Sequence, residues 1–122
     1  MLQNEICEKG TLDIYCANVR SLRANFDSAL CLIENKNIRF DVIIMTEIWI
    51  WEHEINLYNI DGYTAYFSTS SDSRAGGCAV FVNNKHIINR IHIDCSNAEV
   101  CVVSLTIADS TFEMCCVSIT HN

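Results

Sequence analysis

The sequence predicts an α/β fold that starts with a β-α-β unit and continues as an antiparallel meander of strands. Two apolar, strand-like runs near the N-terminus flank a segment with helical periodicity. After Gly62, short β-rich runs alternate with turn residues. The 122 residues are enough for one compact domain with a buried core, and half of them are hydrophobic. We therefore expect one domain over residues 1–122.

The β-α-β unit is predicted from three consecutive patterns. Residues 11–19, TLDIYCANV, alternate apolar and polar side chains as a half-buried strand does. Ser21 is a suitable N-cap, and one apolar helical face follows it, formed by Leu22, Phe26, Ala29, Leu30 and Ile33. The run ENKN ends this helix, and FDVIIMT is a continuous apolar strand of the kind buried on both faces. A helical crossover of this type joins parallel strands.

The second half of the sequence predicts strands joined by short turns. A polar segment, EHEINLYNIDG, is expected on the surface, and SSDSRAGG is expected to be a loop. The strand-like runs are YTAYFST, CAVFVN, HIINRIHI, VCVVSLTI and FEMCCVSIT, with ADS, residues 108–110, as the turn between the last two. Tyr63 and Tyr66 are expected to pack within the sheet.

The composition limits the classes of function. A net charge of −7 argues against a module that binds DNA through positive charge alone, although a bound cation can supply positive charge locally. No apolar run approaches the roughly 20 residues of a membrane span. The eight cysteines form no C-x-x-C pair or zinc-type spacing, so buried free thiols are favoured over disulfides or a metal site. With no signal-peptide pattern at the N-terminus, this predicts an intracellular protein.

Two polar residues are expected to meet at one edge of the sheet. Asn18 follows the first predicted strand, and Glu47 follows the second. Because neighbouring parallel strands end at the same edge, their side chains should project from a shared rim, where open α/β sheets bind ligands. A carboxylate and an amide oxygen there suit Mg²⁺. The alternative is that Glu47 is an ordinary surface carboxylate in a loop.

Four short blocks follow one another along the sequence. They are Asn18-Val19-Arg20-Ser21-Leu22, Thr46-Glu47-Ile48-Trp49, Gly62-Tyr63, and Arg74 with Gly76-Gly77. In their order and in their strand and helix context, these blocks resemble the endonuclease/exonuclease/phosphatase superfamily, and within it the endonuclease domain of non-LTR (LINE-type) retrotransposons. The resemblance extends from about Asp13 to about Thr120.

The resemblance implies a two-sheet α/β sandwich of the DNase I-like type and a Mg²⁺- or Mn²⁺-dependent phosphodiesterase that nicks DNA. Glu47 is then the metal-binding carboxylate, and Asn18 belongs to the same catalytic site. Arg74 and Arg20 would contact substrate; the alternative for Arg74 is an exposed loop arginine. Trp49 and Trp51 are expected in the core, with base stacking as the alternative. A nuclear location follows if the retrotransposon resemblance holds.

The family's Asp-x-Asn block and its later His and Asp are not found in this sequence. We therefore interpret the chain as the N-terminal half of such a domain, inactive by itself. The alternatives are a non-catalytic α/β module or retrotransposon relic, and a piece of a phosphatase of the same superfamily. An unfinished sandwich would also leave apolar sheet surface open to self-association.

Overall fold

The computed structural model describes residues 11–69, 76–97 and 100–117, which form two β-sheets and a helical layer. The first sheet has four strands in the order β1-β2-β4-β3. These strands are β1 (Ile14–Asn18), β2 (Val42–Thr46), β3 (Tyr63–Ser68) and β4 (Cys78–Asn83). The second sheet has three strands in sequential order: β5 (Ile88–Asn97), β6 (Val100–Ile107) and β7 (Ser110–Val117). The predicted two-sheet α/β architecture is confirmed.

The β-α-β unit forms as predicted. Strands β1 and β2 are parallel, and helix α1 (Leu22–Glu34) connects them. The helix begins after Ser21, whose hydroxyl accepts a hydrogen bond from the Ala24 N–H at 3.1 Å. Its predicted apolar face packs on the sheet, and after the helix Asn37 adopts a left-handed φ of 57°. The crossover therefore returns the chain beside β1, with both strand ends at one edge.

Strand β4 lies inside the first sheet, between β2 and β3. It is antiparallel to both neighbours, and all six of its residues are buried. By contrast, β3 is mostly half-buried and takes the edge position. An inner strand is covered on both faces, which suits the continuous apolar run of β4. Strand β4 therefore takes the inner position, although it comes after β3 in the sequence. Tyr63 and Tyr66 both pack in β3, as predicted.

The second sheet is an antiparallel meander. A tight turn joins β6 to β7, and its two central residues, Ala108 and Asp109, have φ values of 49° and 68°. Left-handed conformations at both central positions are typical of the type I′ hairpin turn. This turn occupies the predicted position. The strand predicted from His86 begins instead at Ile88, because residues 84–86 complete the turn after β4.

Two apolar layers cover the two faces of the first sheet. One face of the first sheet packs against α1 through residues such as Ile43, Met45 and Phe81. The opposite face, which includes Val80, packs against the second sheet, where Leu105 is fully buried. Among the described residues, no helix is long and apolar enough to cross a membrane.

The cysteines are only partly as predicted. Cys78 and Cys101 are buried free thiols, in agreement with the sequence analysis. Cys16 and Cys116, however, form a disulfide between β1 and β7, with a Cα–Cα distance of 6.6 Å. The prediction of free thiols is wrong for this pair, because sheet packing brings together two positions that are 100 residues apart. Such a pairing leaves no local spacing signal in the sequence.

Candidate functional site

The structure brings Asn18 and Glu47 together at the carboxyl edge of β1 and β2. Asn18 is the last residue of β1 and pairs with Thr46, the residue before Glu47. The Asn18 side-chain Nδ2 donates a hydrogen bond to Glu47 Oε2 at 3.0 Å, in a solvent-exposed position. The predicted juxtaposition of these two residues, 29 positions apart in the sequence, is confirmed.

Backbone hydrogen bonds tie together the loops that follow β1 and β2. The Val19 N–H donates to Thr46 O at 3.0 Å, and the Ser21 N–H donates to Glu47 O at 2.9 Å. On the other side, the Glu47 N–H donates to Gly77 O at 2.9 Å. Glu47 is therefore held through its backbone from two directions, while its carboxylate projects from the rim.

The backbone of this rim adopts conformations that are uncommon for residues other than glycine. Arg20, Ser21, Glu47 and Trp49 have φ values of 49°, 96°, 55° and 54°. They are four of the seven non-glycine residues with positive φ in the described part of the chain. Such residues cost free energy and concentrate at binding and catalytic sites. Their clustering around the Asn18–Glu47 pair makes this edge of the sheet the candidate functional site.

Gly77 allows the loop before β4 to approach Glu47. Its φ is 85°, and a Cβ atom added there would lie 3.0 Å from both Ile48 Cγ1 and Ser68 O. A larger residue would crowd Ile48 and the Ser68 carbonyl and would be strained at this φ, next to the carbonyl that accepts the Glu47 N–H. The glycine run singled out in the sequence therefore has a steric reason at this position.

A second carboxylate, Glu54, links the segment that follows Trp51 to α1 and was missed by the sequence analysis. It lies in a 3₁₀ helix, Glu52–Leu57, and is buried. Its Oε1 accepts a hydrogen bond from the Trp51 N–H at 2.8 Å, and its Oε2 pairs with Arg23 of α1. The pKa of Glu54 is lowered, most by the hydrogen bond from the Trp51 N–H and next by the hydrogen bond from Arg23. A glutamate three residues after the N-cap position, here Trp51, was the available sequence signal.

Trp49 and Trp51 are exposed, which corrects the prediction that they belong to the core. Their side chains retain 39% and 36% exposure, whereas Ile48 and Ile50 are buried. Burial alternates along the run Ile-Trp-Ile-Trp, with the two isoleucines on the buried side, and Trp49 has a left-handed φ of 54°. Two tryptophans thus remain accessible on the segment that follows Glu47.

The two predicted substrate-binding arginines have different outcomes. Arg20 is exposed on the rim, two residues after Asn18, and its carbonyl accepts a hydrogen bond from Asn25 Nδ2 at 3.0 Å. Arg74 lies outside the described residues. Arg20 therefore remains a candidate for substrate contact by its position alone.

The donor set at the rim suits a hard divalent cation. Glu47 offers a carboxylate and Asn18 an amide oxygen, at an edge that water can reach. Mg²⁺ prefers such oxygen donors and commonly takes one or two carboxylates together with water and phosphate oxygens. The residues present are compatible with a Mg²⁺ site that solvent and substrate complete.

Solved structures of several DNA-processing enzymes have the same fold. The chain aligns with the AP endonuclease LMAP from Leishmania major at a TM-score of 0.62 and 13% identity, covering 98% of this chain and 44% of that one. For the Xenopus laevis APE2 catalytic domain, the TM-score is 0.61 with 14% identity, covering 90% and 46%. For the 3′ phosphatase NExo from Neisseria, bound to product DNA hairpin, the TM-score is 0.58 with 14% identity, covering 84% of this chain and 40% of that one.

At these identities, the alignments establish a shared fold. The chain spans less than half the length of each of these three enzymes. No protein-family model and no curated protein matches the sequence.

Proposed function

We propose that this chain carries the Mg²⁺-binding part of a phosphodiesterase site that acts on DNA. The observation that carries the proposal is the contact between Asn18 and Glu47 at the carboxyl edge of two parallel strands. The fold shared with an AP endonuclease and with a 3′ phosphatase bound to product DNA supports DNA as the substrate class. The motif blocks around Asn18, Glu47, Gly62 and Gly77 support a LINE-type endonuclease among such enzymes.

Each residue of the rim has a distinct role in this proposal. Glu47 holds the cation through its carboxylate, and Asn18 orients both Glu47 and the scissile phosphate. A bound Mg²⁺ supplies Lewis-acid polarisation of the phosphate and stabilises charge on the leaving oxygen. Arg20 is placed to contact the substrate backbone, and the exposed Trp49 and Trp51 are placed to stack on bases.

Hydrolysis needs a base that activates water in addition to a metal site. The Asp-x-Asn and His-Asp blocks that would supply it are not found in the 122 residues. We therefore propose that the chain binds Mg²⁺ and DNA together but hydrolyses DNA slowly or not at all. Such a chain would contribute to catalysis only beside the missing groups.

The test measures DNA binding and cleavage separately. Affinity for a fluorescent duplex is measured with and without Mg²⁺, for the wild-type chain and for Glu47→Gln. We expect Mg²⁺ to strengthen binding of the wild-type chain by about tenfold, equivalent to about 1.4 kcal/mol, and to have little effect on the variant. Asp61→Asn, a change at another exposed acidic residue, is the matched control and should behave as wild type.

Nicking of supercoiled plasmid is measured in parallel with the same proteins. Equal Mg²⁺ dependence in the wild-type chain and Glu47→Gln would refute the role of Glu47. If Mg²⁺ does not change the affinity of the wild-type chain for DNA, the proposed Mg²⁺ site is refuted. If the wild-type chain nicks the plasmid rapidly and Glu47→Gln does not, the Mg²⁺ site is supported but the proposed inactivity is refuted.

A phosphatase acting on DNA 3′ ends is the second candidate, because a 3′ phosphatase has the same fold. The two functions need the same cation and phosphate contacts at the rim. A duplex carrying a 3′-phosphate distinguishes them. Preferential Mg²⁺-dependent binding of that end over an internal nick would favour the phosphatase.

A further inference from the structure

Three cysteine thiols meet in the apolar layer between the two sheets. Cys78 begins β4 in the first sheet, whereas Cys95 and Cys101 belong to β5 and β6 in the second. The Cys101 Sγ atom lies 2.9 Å from Cys95 Sγ and 3.0 Å from Cys78 Sγ. All three sulfur atoms lie within 4.8 Å of one another. We call these residues the thiol trio.

The thiol trio is buried enough to retain a bound metal ion, and its third member, Cys95, is accessible enough for the ion to enter. Cys78 and Cys101 are almost completely buried, and Cys95 is half-buried. Across the described ranges 11–69, 76–97 and 100–117, this is the one group of three or more potential metal-ligating side chains. The other free cysteines described, Cys31 and Cys115, are exposed and separate from it.

The spacing of the trio suits a shared cation. The Cys101 sulfur lies within hydrogen-bond distance of both other sulfur atoms, so the three thiols converge on one point between the sheets. Contacts with Cys78 and Cys95 lower the pKa of the Cys101 thiol, which favours its thiolate form. A cation that replaces the thiol protons would satisfy all three sulfur atoms.

We propose that Cys78, Cys95 and Cys101 form a binding site for a soft d¹⁰ cation, Zn²⁺ or Cu⁺. Binding replaces the thiol protons with metal–sulfur bonds, and the displaced protons are released to solvent. Thiolates select these ions over hard cations such as Mg²⁺. With metal–sulfur bonds of about 2.3 Å, the sulfur atoms would stand about 4 Å apart, so the two short separations open by roughly 1 Å.

The site is composite, which explains why sequence spacing did not reveal it. Its ligands come from three strands in two sheets, and intervals of 17 and 6 positions separate them. Zinc motifs are recognised from pairs of ligands in one short loop, and none occurs here. Packing of the two sheets alone brings these thiols together. A metal at the trio would therefore cross-link the sandwich and stabilise the folded state over the unfolded chain.

The test uses the full chain, purified anaerobically, with the Cys16–Cys116 disulfide verified by mass spectrometry. Titration with Cd²⁺, a spectroscopic probe for the Zn²⁺ arm, is followed by sulfur-to-metal charge-transfer absorption. A separate anaerobic titration with Cu⁺ tests the other arm, and competition with chelators of known affinity ranks the two ions. We expect saturation at one equivalent, release of protons on binding, and a higher melting temperature.

The variants compare trio cysteines with exposed ones. Cys95→Ala removes the half-buried ligand and is the least disruptive change within the trio. We expect it to weaken binding by more than about 100-fold, since even the loss of an outer-shell partner costs 10–100-fold. Cys115→Ala and Cys31→Ala should bind as wild type does. Wild type and both controls should gain thermal stability with metal, whereas Cys95→Ala should not.

Three results would overturn the proposal. One is the absence of a saturable charge-transfer band in the wild-type chain. Another is an unchanged affinity in Cys95→Ala. The third is an internal disulfide between two trio cysteines in the anaerobic protein, detected as a loss of two free thiols. A melting curve for Cys95→Ala without metal separates loss of a ligand from loss of the fold.

Discussion

Strand β2 has a carboxylate next to each of its ends, and the two have opposite surroundings. Asp41, before the strand, is buried, and its oxygens contact the Asp13 N–H at 2.7 Å, His86 Nε2 at 2.7 Å and Lys85 Nζ at 3.1 Å. Glu47, after the strand, is partly exposed and accepts a hydrogen bond from the Asn18 amide. A carboxylate surrounded by protein donors supports the fold, whereas one that faces water retains oxygens for a ligand.

The backbone differs between the two ends in the same way. Residues around Glu47 adopt positive φ values, and two glycines with positive φ pack beside them. No positive φ is found between Arg39 and Asp41. One end of the strand is thus built for stability, and the other accepts strain to present a side chain. The predictions below test this contrast, from the largest expected effect to the smallest.

Asp41→Asn should destabilise the protein most. The change removes the charge that Lys85 and His86 face, and it weakens the hydrogen bond from the Asp13 N–H. We expect a loss of about 2 kcal/mol in the free energy of unfolding, measured by urea denaturation. Glu47→Gln, the same chemical change at the other end, should stay within about 0.5 kcal/mol of wild type. Equal losses in the two variants would remove the contrast.

The stability of the wild-type protein should fall in acid in a way that depends on Asp41. Burial alone would raise the pKa of Asp41, but hydrogen bonds from the Asp13 N–H, His86 and Lys85 outweigh it, and the pKa is lowered. A lowered pKa stabilises the fold above the unfolded value, about 3.9, and this contribution disappears as pH falls through the folded value.

Urea denaturation between pH 5 and pH 2 measures this dependence. Asp41→Asn should lose part of the acid dependence, while the part due to Glu54, whose pKa is also lowered, should remain. A profile of Asp41→Asn parallel to that of wild type would contradict this assignment.

Trp49→Ala should weaken DNA binding without weakening the fold. Stacking of one base on an aromatic side chain contributes about 1–3 kcal/mol, and we expect a loss near 1 kcal/mol, roughly fivefold in affinity. Fluorescence anisotropy with a labelled single-stranded oligonucleotide measures it. Leu57→Ala, which removes an exposed apolar side chain elsewhere, is the control and should leave affinity unchanged. Equal losses in both variants would indicate nonspecific apolar binding.

Glu47→Gly should raise stability slightly while removing the proposed ligand. Glycine adopts a φ of 55° without the steric strain that glutamate has there. Glycine also has greater chain entropy in the unfolded state, which opposes folding. We expect the loss of strain to be the larger of the two free energies, by roughly 0.5 kcal/mol. Glu113→Gly, at an exposed strand position, should instead destabilise by about 1 kcal/mol. Chemical denaturation compares the two, and a destabilised Glu47→Gly would refute the strain at the rim.

The sequence predicted local structure well because periodicity and capping report it directly. The Ser21 cap, the apolar face of α1 and the buried strand FDVIIMT all formed as expected, and they were sufficient to bring Asn18 and Glu47 together. The inner place of β4 was not predicted, because strand order depends on how several strands share burial.

The errors arose where packing between sheets decides the outcome. The Cys16–Cys116 disulfide and the thiol trio join strands of different sheets, and no short-range pattern announces either. The exposure of Trp49 and Trp51 is a different case, since alternation with Ile48 and Ile50 was visible in the sequence. There, residue type was given more weight than the period of the pattern.

Paramagnetic broadening by Mn²⁺ tests the central claim most directly, because it locates a bound cation without requiring catalysis. In ¹⁵N-labelled wild-type protein, we expect substoichiometric Mn²⁺ to broaden the Asn18 side-chain amide and the Glu47 backbone amide first, and Mg²⁺ to reverse the effect. Glu47→Gln should abolish this broadening. Broadening centred on Asp41, or broadening at the rim that persists in Glu47→Gln, would contradict the account.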